Sequence, residues 1–363
     1  MPWSVVFKPV RTPSESVRSS SFPHSLNPTA SATATATMAE MEYIALTTKP
    51  SAQLSYTFHP AASTTTTTPP RLLVFLNGLG LPQASWSTTI TQLKQTHPSH
   101  PAILTYDRYG QGQTTDRDPS DSAAEDPTHG HDALTVITDL RQLLTQIAAT
   151  KLQIENDSID DVNIIFVANS IGAALARLYA QEYPGTVAAL LLLDSVLANS
   201  DFVSVYPDPD ATDFNPASLP EGITPETLRA ARTNVARIFH PSVGSKEGLS
   251  RKNLATLLPH SDQPVLIGPA ADGQEQNQGP LVTVLGHDFE TFAEESTRLG
   301  QPKELTRAYA NPYWERYNQG LVRITQEGRG KGPVQAPGAG HFIQKDHPAL
   351  VVEEIVEILE RLG

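Results

Sequence analysis

The stretch Val162–Leu175 reads V-N-I-I-F-V-A-N-S-I-G-A-A-L and decides how the chain is interpreted. It begins as a short apolar, β-branched run, which is typical of a buried parallel strand. It then turns through small residues, with Ser170 at the turn, into an amphipathic helix predicted over Ala173–Tyr183. A strand, a sharp turn around a serine and a helix form the layout of a nucleophile elbow. The alternative is a turn serine without chemistry, because Ala168 stands where that pattern usually has glycine.

The composition excludes several classes of protein. Among the 363 residues, Lys and Arg number 26 against 39 Asp and Glu, giving a formal charge of −13. A nucleic-acid or anionic-membrane surface needs clustered Lys and Arg, so neither partner is expected. The chain has no cysteine, which excludes disulfides, thiolate metal sites and cysteine nucleophiles. No apolar run is long enough to span a bilayer. We therefore expect a cytoplasmic protein with a small-molecule substrate, while the oligomeric state stays open.

The first 37 residues differ from the rest of the chain. They are rich in Ser, Thr, Ala and Pro and lack sustained periodicity, so they cannot bury enough apolar surface to fold alone. We interpret residues 1–37 as a disordered extension or a start assigned too early, with Met38 or Met41 as the true beginning. Three basic residues against one acid make mitochondrial targeting the alternative.

From residue 38 onward, apolar strands alternate with helical patterns. The predicted strands include Arg71–Leu76 and Val187–Leu193, and the predicted helices include Pro302–Asn318. This rhythm predicts an α/β fold with a mostly parallel central sheet covered by helices on both faces, preceded by two antiparallel strands. In such sheets the ligand site lies at the carboxyl ends of the strands. The polar residues predicted at those ends are Asn77, Asp107, Ser170, Asp194, His287, Asp288 and His341.

The alternation stops over residues 195–280. This segment contains Pro-rich and acidic stretches, a helix predicted over Pro225–Ile238 and a shorter one near Leu249–Leu258. Loops this long in compact domains are usually functional. We expect a helical lid over the strand ends, inserted into a domain that spans residues 38–363; a plain surface excursion is the alternative.

His341 is the best candidate for a base. A serine hydroxyl is a poor nucleophile until a base takes its proton and a third group orients that base. His341 lies in the loop G-A-G-H-F after the last predicted strand. His341 follows Ser170 in the chain, and this order of nucleophile and histidine is typical of sites built on a nucleophile elbow. His347 is interpreted as the start of the final helix. The H-G-H stretch that contains His129 and His131 is interpreted as part of a solvated surface loop.

The chain from Arg71 to Gly363 resembles the α/β-hydrolase superfamily. The matching stretches are L-V-F-L-N-G-L-G, Y-D-R-Y-G-Q-G, A-N-S-I-G-A-A-L-A-R-L-Y-A, L-L-L-L-D-S and G-A-G-H-F-I-Q-K-D-H-P. Two departures are Asn77, where the family usually has histidine, and Ala168 in the elbow. Neither removes a group that performs chemistry.

The resemblance implies the remaining site residues. An oxyanion hole would use the backbone N–H groups of Leu79 and Ile171, with Gly78 allowing the turn to approach the substrate. The acid of a catalytic triad with Ser170 and His341 would be Asp194, which we favour, or Asp288. Asp194 could instead cap the first helix of the insertion.

The implied activity is that of a serine hydrolase acting on small or medium esters, or lactones, through an acyl-enzyme. No metal or organic cofactor is implied. The alternatives are non-hydrolytic chemistry of the same fold, such as acyl transfer to an alcohol or C–C bond cleavage, and an inactive relative that binds a ligand. Asp107 is interpreted as a structural hydrogen-bonding residue, with Arg108 as its partner.

Overall fold

A computed structural model describes residues 40–62, 69–154, 159–270 and 278–363. The predictions for residues 1–37 therefore lie outside the described residues. The strands are β1 Met41–Leu46, β2 Lys49–His59, β3 Arg71–Leu76, β4 Ala102–Tyr106, β5 Asn163–Asn169, β6 Val187–Leu193, β7 Leu281–His287 and β8 Gly330–Ala336. The helices are α1 Ser87–Thr96, α2 Ala133–Lys151, α3 Ile171–Glu182, α4 Pro225–Phe239, α5 Leu254–Leu257, α6 Phe289–Thr297, α7 Lys303–Leu305, α8 Asn311–Leu321, α9 Ile343–Asp346 and α10 Pro348–Arg361.

One eight-stranded sheet carries the architecture. Its order is β1-β2-β4-β3-β5-β6-β7-β8. The pairs β1–β2 and β2–β4 are antiparallel, and every pair from β4 through β8 is parallel. The predicted mostly parallel sheet with two leading antiparallel strands is confirmed. Because the parallel strands share one direction, their carboxyl ends meet at one edge of the sheet.

Helices cover both faces of the sheet, as the continuous apolar strands predict. In β3, the side chains of Leu72, Val74 and Leu76 join a core with residues of α2 and α3. The alternate side chains of Leu73 and Phe75 join a second core with residues of α1 and α10. The period of two along the strand explains this division. The two cores therefore lie on opposite faces of the sheet.

Several predicted helix boundaries are wrong. The helix expected over Pro302–Asn318 is divided into α7, a π-helical turn at Thr306–Ala310, and α8. Helix α6 was missed, although Asp288 at its N-cap is a residue type that favours this position. The helix of the elbow begins at Ile171, two residues earlier than expected, because the turn closes directly after Ser170.

In its described residues, the segment between β6 and β7 contains α4, α5 and irregular backbone. We call residues 195–280 the insertion. Its Tyr206, Leu228 and Val235 form a third apolar cluster together with Leu305 and Ala310, which follow β7 in the chain. The insertion therefore shares a small core with residues that follow β7, whereas its action as a lid stays a prediction. Within the described ranges, no helix combines the length and the apolar character that crossing a bilayer requires.

Candidate active site

Ser170 lies between β5 and α3 in a strained backbone conformation. Its φ is 58° and its ψ is −123°, a region that non-glycine residues adopt rarely and at a cost of about 1–3 kcal/mol. The surrounding sheet holds it there: the Ser170 N–H donates to the Leu193 carbonyl at 3.1 Å, and the Val196 N–H donates to the Ser170 carbonyl at 3.1 Å. Such strain persists only where neighbours over-determine it, and it is frequent at functional sites.

Gly172, two positions after the serine, must lack a side chain because the backbone that ends β3 passes close to it. A Cβ added to Gly172 would overlap the Leu76 carbonyl oxygen and lie 2.9 Å from that of Asn77. The backbone of the elbow therefore packs directly against the backbone at the end of β3. On the other side of the serine, Ala168 is fully buried within β5. Ala168, which stands where the elbow pattern usually has glycine, is therefore accommodated within β5.

The structure brings Ser170, His341 and Asp194 together at the sheet edge. His341 Nε2 lies 2.9 Å from Ser170 Oγ, and His341 Nδ1 lies 2.6 Å from Asp194 Oδ2. The loop that carries the histidine is tied to the elbow, since the Asn169 side-chain amide donates to the carbonyls of Leu193 and His341, at 3.0 Å each. An imidazole in this position can accept the serine proton through Nε2 while Nδ1–H faces a carboxylate.

Asp194 follows β6 and is fully buried. Its φ of 41° is in the left-handed region, and its N–H donates to the Leu285 carbonyl at 2.8 Å. Burial alone would raise the pKa of this carboxyl, but the charge and hydrogen bond of His287 and the hydrogen bond of His341 outweigh it and lower the pKa to about 2. The group facing His341 is therefore a carboxylate.

The alternative acid, Asp288, faces a helix instead. Its carboxylate caps α6 by accepting from the N–H groups of Thr291 at 2.9 Å and Glu290 at 3.1 Å. The backbone hydrogen bond from Thr291 lowers the pKa of Asp288. Its own N–H donates to the Ala339 carbonyl at 2.8 Å. Of the two candidate acids, Asp194 is the one whose carboxylate contacts His341.

The turn after β3 approaches the serine closely. A Cβ added to Gly78 would lie 3.4 Å from Ser170 Cβ and 3.3 Å from Asn169 Oδ1. The next residue, Leu79, is partly buried, and Ile171 is the first residue of α3. The backbone N–H groups at the start of a helix favour negative charge. Two of the predicted oxyanion residues, Gly78 and Ile171, thus lie next to Ser170.

A buried ion pair that the sequence analysis missed braces this turn. Glu247 of the insertion is 1% exposed and accepts from Arg108 Nε at 2.9 Å and Arg108 Nη2 at 3.2 Å. It also accepts from the Gly80 N–H and from Gln111 Nε2. Arg108 in turn donates to the carbonyl of Asn77 at 2.8 Å and that of Gly78 at 3.0 Å. One carboxylate from the insertion therefore holds both Arg108 and residues 77–80, which we call the oxyanion turn after their predicted role.

The predicted roles of the neighbouring polar residues are partly wrong. Asp107 does hold its turn, accepting from the N–H groups of Gln83 at 2.6 Å and Gln113 at 2.9 Å, but Arg108 pairs with Glu247 rather than with Asp107. His131 was expected in solvent, yet it is buried and lies 2.7 Å from an Asp121 carboxylate oxygen. No local sequence pattern marks Glu247 as the partner of Arg108, because the two residues lie 139 positions apart, whereas Asp121 lies only ten positions before His131.

Asn77 fills the position where histidine was expected by packing into the sheet edge. Its amide donates to the Tyr106 carbonyl at 2.8 Å and its oxygen accepts from Trp86 Nε1 at 2.8 Å. The side chain is buried and contributes to holding the turn. In the part of the chain that the structure describes, no group of three or more His, Cys, Asp or Glu side chains is arranged to hold a metal ion.

Comparisons with known proteins identify the family of the chain. The sequence model of the alpha/beta hydrolase family matches residues 73–354. The chain is 26% identical over 308 residues to protein phosphatase methylesterase 1 of Emericella nidulans, an alignment that covers 80% of this chain and 67% of that protein.

Two solved structures align with the backbone of this chain over most of its length. A thermophilic esterase from Thermogutta terrifontis aligns at 17% identity, covering 89% of this chain and 99% of that one, with a TM-score of 0.48. The mouse alpha/beta hydrolase domain-containing protein 10 aligns at 13% identity, covering 90% and 100%, with a TM-score of 0.47. The family match spans most of the sequence, and on that ground the chain belongs to the alpha/beta hydrolase family.

Proposed function

We propose that this protein is a serine hydrolase that cleaves a small or medium carboxylic ester through an acyl-enzyme. The observation that carries the proposal is the continuous chain of contacts from Ser170 Oγ through the His341 ring to the buried Asp194 carboxylate, at 2.9 Å and 2.6 Å. Three groups in this order form a nucleophile, a base and a group that orients the base. The strained backbone at Ser170 supports the same assignment.

The reaction follows from these contacts. Ser170 Oγ attacks the acyl carbon as His341 Nε2 takes the hydroxyl proton, and the carbonyl oxygen becomes an oxyanion. The N–H groups of Leu79 and Ile171 stabilise that charge, and each such donor contributes about 3–4 kcal/mol. His341 then gives its proton to the leaving alcohol, and a water molecule activated by the same histidine releases the acid. Asp194 holds the imidazole in the tautomer that this requires.

The substrate class rests on two further considerations. The similar Emericella nidulans protein is named a methylesterase, which favours carboxylic esters, including methyl esters, for this chain. The insertion contacts the oxyanion turn through Glu247, which supports its role as a lid bordering the acyl group. We propose that the insertion sets the size of the acyl group.

Labelling with a fluorophosphonate tests the proposal. The wild-type protein is incubated with the probe, digested and analysed by mass spectrometry, with hydrolysis of p-nitrophenyl acetate and butyrate measured in parallel. We expect one labelled peptide, containing Ser170, and ester turnover that the probe abolishes. A folded protein that is not labelled would overturn the proposal in favour of a ligand-binding relative. Labelling without ester turnover would favour non-hydrolytic chemistry of the same fold.

Replacing Glu247 with glutamine should impair the oxyanion turn. The neutral amide leaves the buried Arg108 guanidinium without its counter-charge, which destabilises a protein by about 3–5 kcal/mol. Misalignment of one oxyanion donor lowers kcat by about 10²-fold. We expect kcat of the folded fraction to fall at least tenfold with KM little changed, measured by ester kinetics alongside thermal melting.

The matched control for this variant is Glu226→Gln, which changes an exposed carboxylate on α4 of the same insertion. It should leave both the kinetics and the melting temperature unchanged. If Glu247→Gln lowers the melting temperature while the folded fraction keeps its full kcat, the ion pair contributes to stability alone.

A further inference from the structure

The carboxylate of Asp194 faces two histidines rather than one. Its Oδ2 lies 2.6 Å from His341 Nδ1, and its Oδ1 lies 2.8 Å from His287 Nδ1. His287 ends β7, is 1% exposed, and comes from a part of the chain that the proposed reaction does not use. Because the two imidazoles share one buried carboxylate, the charge of the His287 ring affects how readily the His341 ring takes up a proton.

The hydrogen-bond partners of His287 specify its protonation state. The Asn311 side-chain Nδ2 donates to the Phe289 carbonyl at 2.9 Å, and a carbonyl can only accept. The amide of Asn311 is therefore oriented with Oδ1 towards His287 Nε2, 3.2 Å away, so that this nitrogen must carry a hydrogen. The other ring nitrogen faces the Asp194 carboxylate, which also accepts. Both ring nitrogens face acceptors, and only the imidazolium donates from both.

We propose that His287 is a buried imidazolium that positions Asp194 and offsets its charge, and that it thereby keeps His341 available as a base at lower pH. This inference rests on the proposed function. Asp194 without His287 would be an uncompensated carboxylate that favours a proton on His341. When the His287 imidazolium already faces one oxygen of the carboxylate, a second positive charge on His341, which faces the other oxygen, is less favourable. His287 does not touch the reacting atoms, so it is a positioning residue.

The surroundings of His287 are consistent with a fixed charge. Its ring stacks on Phe292 of α6 at 4.0 Å between centroids, and Trp314 of α8 lies edge-on at 5.6 Å. The titratable groups that act on it are Asp194, its chain neighbour Asp288 and, across the shared carboxylate, His341. Burial lowers the pKa of His287, but the charge and hydrogen bond of Asp194 outweigh this and raise it overall.

Two variants test the effect on catalysis. His287→Asn keeps an amide donor towards Asp194 but removes the charge, and Asn311→Leu removes the acceptor that requires the second ring hydrogen. In the pH profile of kcat/KM, we expect the midpoint of the acidic limb to move up by about 1 unit in His287→Asn and in the same direction, by less, in Asn311→Leu. An unmoved limb in folded His287→Asn would overturn the proposal, whatever the change in kcat. If His287→Asn does not fold, an unmoved limb in Asn311→Leu has the same meaning.

A measurement on the wild-type protein does not depend on activity. Long-range ¹H–¹⁵N spectra of histidine-labelled protein report whether each ring nitrogen carries a hydrogen, and Asn311→Leu identifies the His287 resonances by their shift. We expect both His287 nitrogens to be protonated at pH 7.5, and a ring with one unprotonated nitrogen would overturn the proposal. This spectrum also distinguishes failure of the proposed function from failure of the charge assigned to His287. A protein that fluorophosphonate does not label, but whose His287 is doubly protonated, contradicts the proposed hydrolase function and not the charge assignment.

Discussion

Substitution of Ser170 with alanine is expected to lower kcat/KM for an activated ester by about 10⁴-fold or more. The hydroxyl is the group that forms the acyl-enzyme, and the remaining oxyanion donors support only slow attack by water. His341 and Asp194 keep their contact in this variant, so the loss should appear in kcat rather than in KM. The measurement is steady-state hydrolysis of p-nitrophenyl butyrate, together with loss of fluorophosphonate labelling.

Ser195→Ala is the matched control for this loss. Ser195 is buried at the same sheet edge, and its hydroxyl donates to the Val196 carbonyl at 3.1 Å. We expect this variant to keep its labelling and most of its turnover. Thermal melting should show that both alanine variants are folded. Full activity in Ser170→Ala would exclude the serine as the nucleophile.

The second large effect distinguishes the two candidate acids. Asp194→Asn should lower kcat by about 10³- to 10⁴-fold, because an amide facing His341 favours the wrong imidazole tautomer and cannot stabilise the imidazolium. The change also removes the counter-charge of His287, and we expect the melting temperature to fall. Activity should therefore be measured per folded protein, at a temperature well below the transition.

Asp288→Asn should be mild by comparison. Asparagine is as good an N-cap as aspartate, so the bonds to the Glu290 and Thr291 N–H groups can persist. We expect less than a fivefold change in kcat and a small change in stability. If Asp288→Asn inactivates the enzyme while Asp194→Asn does not, the acid role belongs to Asp288 and the structure's contact at Asp194 is not the catalytic one.

Much of the fold followed from local patterns. Continuous apolar strands such as Arg71–Leu76 and Val187–Leu193 were predicted with their observed bounds, because burial on both faces demands an unbroken apolar run. Ser170 and His341 were singled out because each lies in a short motif at a strand end, and all parallel strand ends share one edge. The missed helix α6 follows directly on β7, and its N-cap residue Asp288 was considered only as a candidate acid.

What the sequence by itself determined is the sheet and the residues at its edge, since strand period, turn residues and chain order are local properties. Tertiary structure alone decided which carboxylate meets His341, and that Asp194 also faces His287, 93 residues further along the chain. It likewise decided that Glu247 meets Arg108 across 139 residues. The physical reason is that a contact between side chains depends on backbone direction and rotamer at two distant positions. Asp194 and Asp288 both follow strands at one edge, but Asp194 has a φ of 41° and its carboxylate faces histidines, whereas Asp288 has a φ of −67° and its carboxylate caps α6.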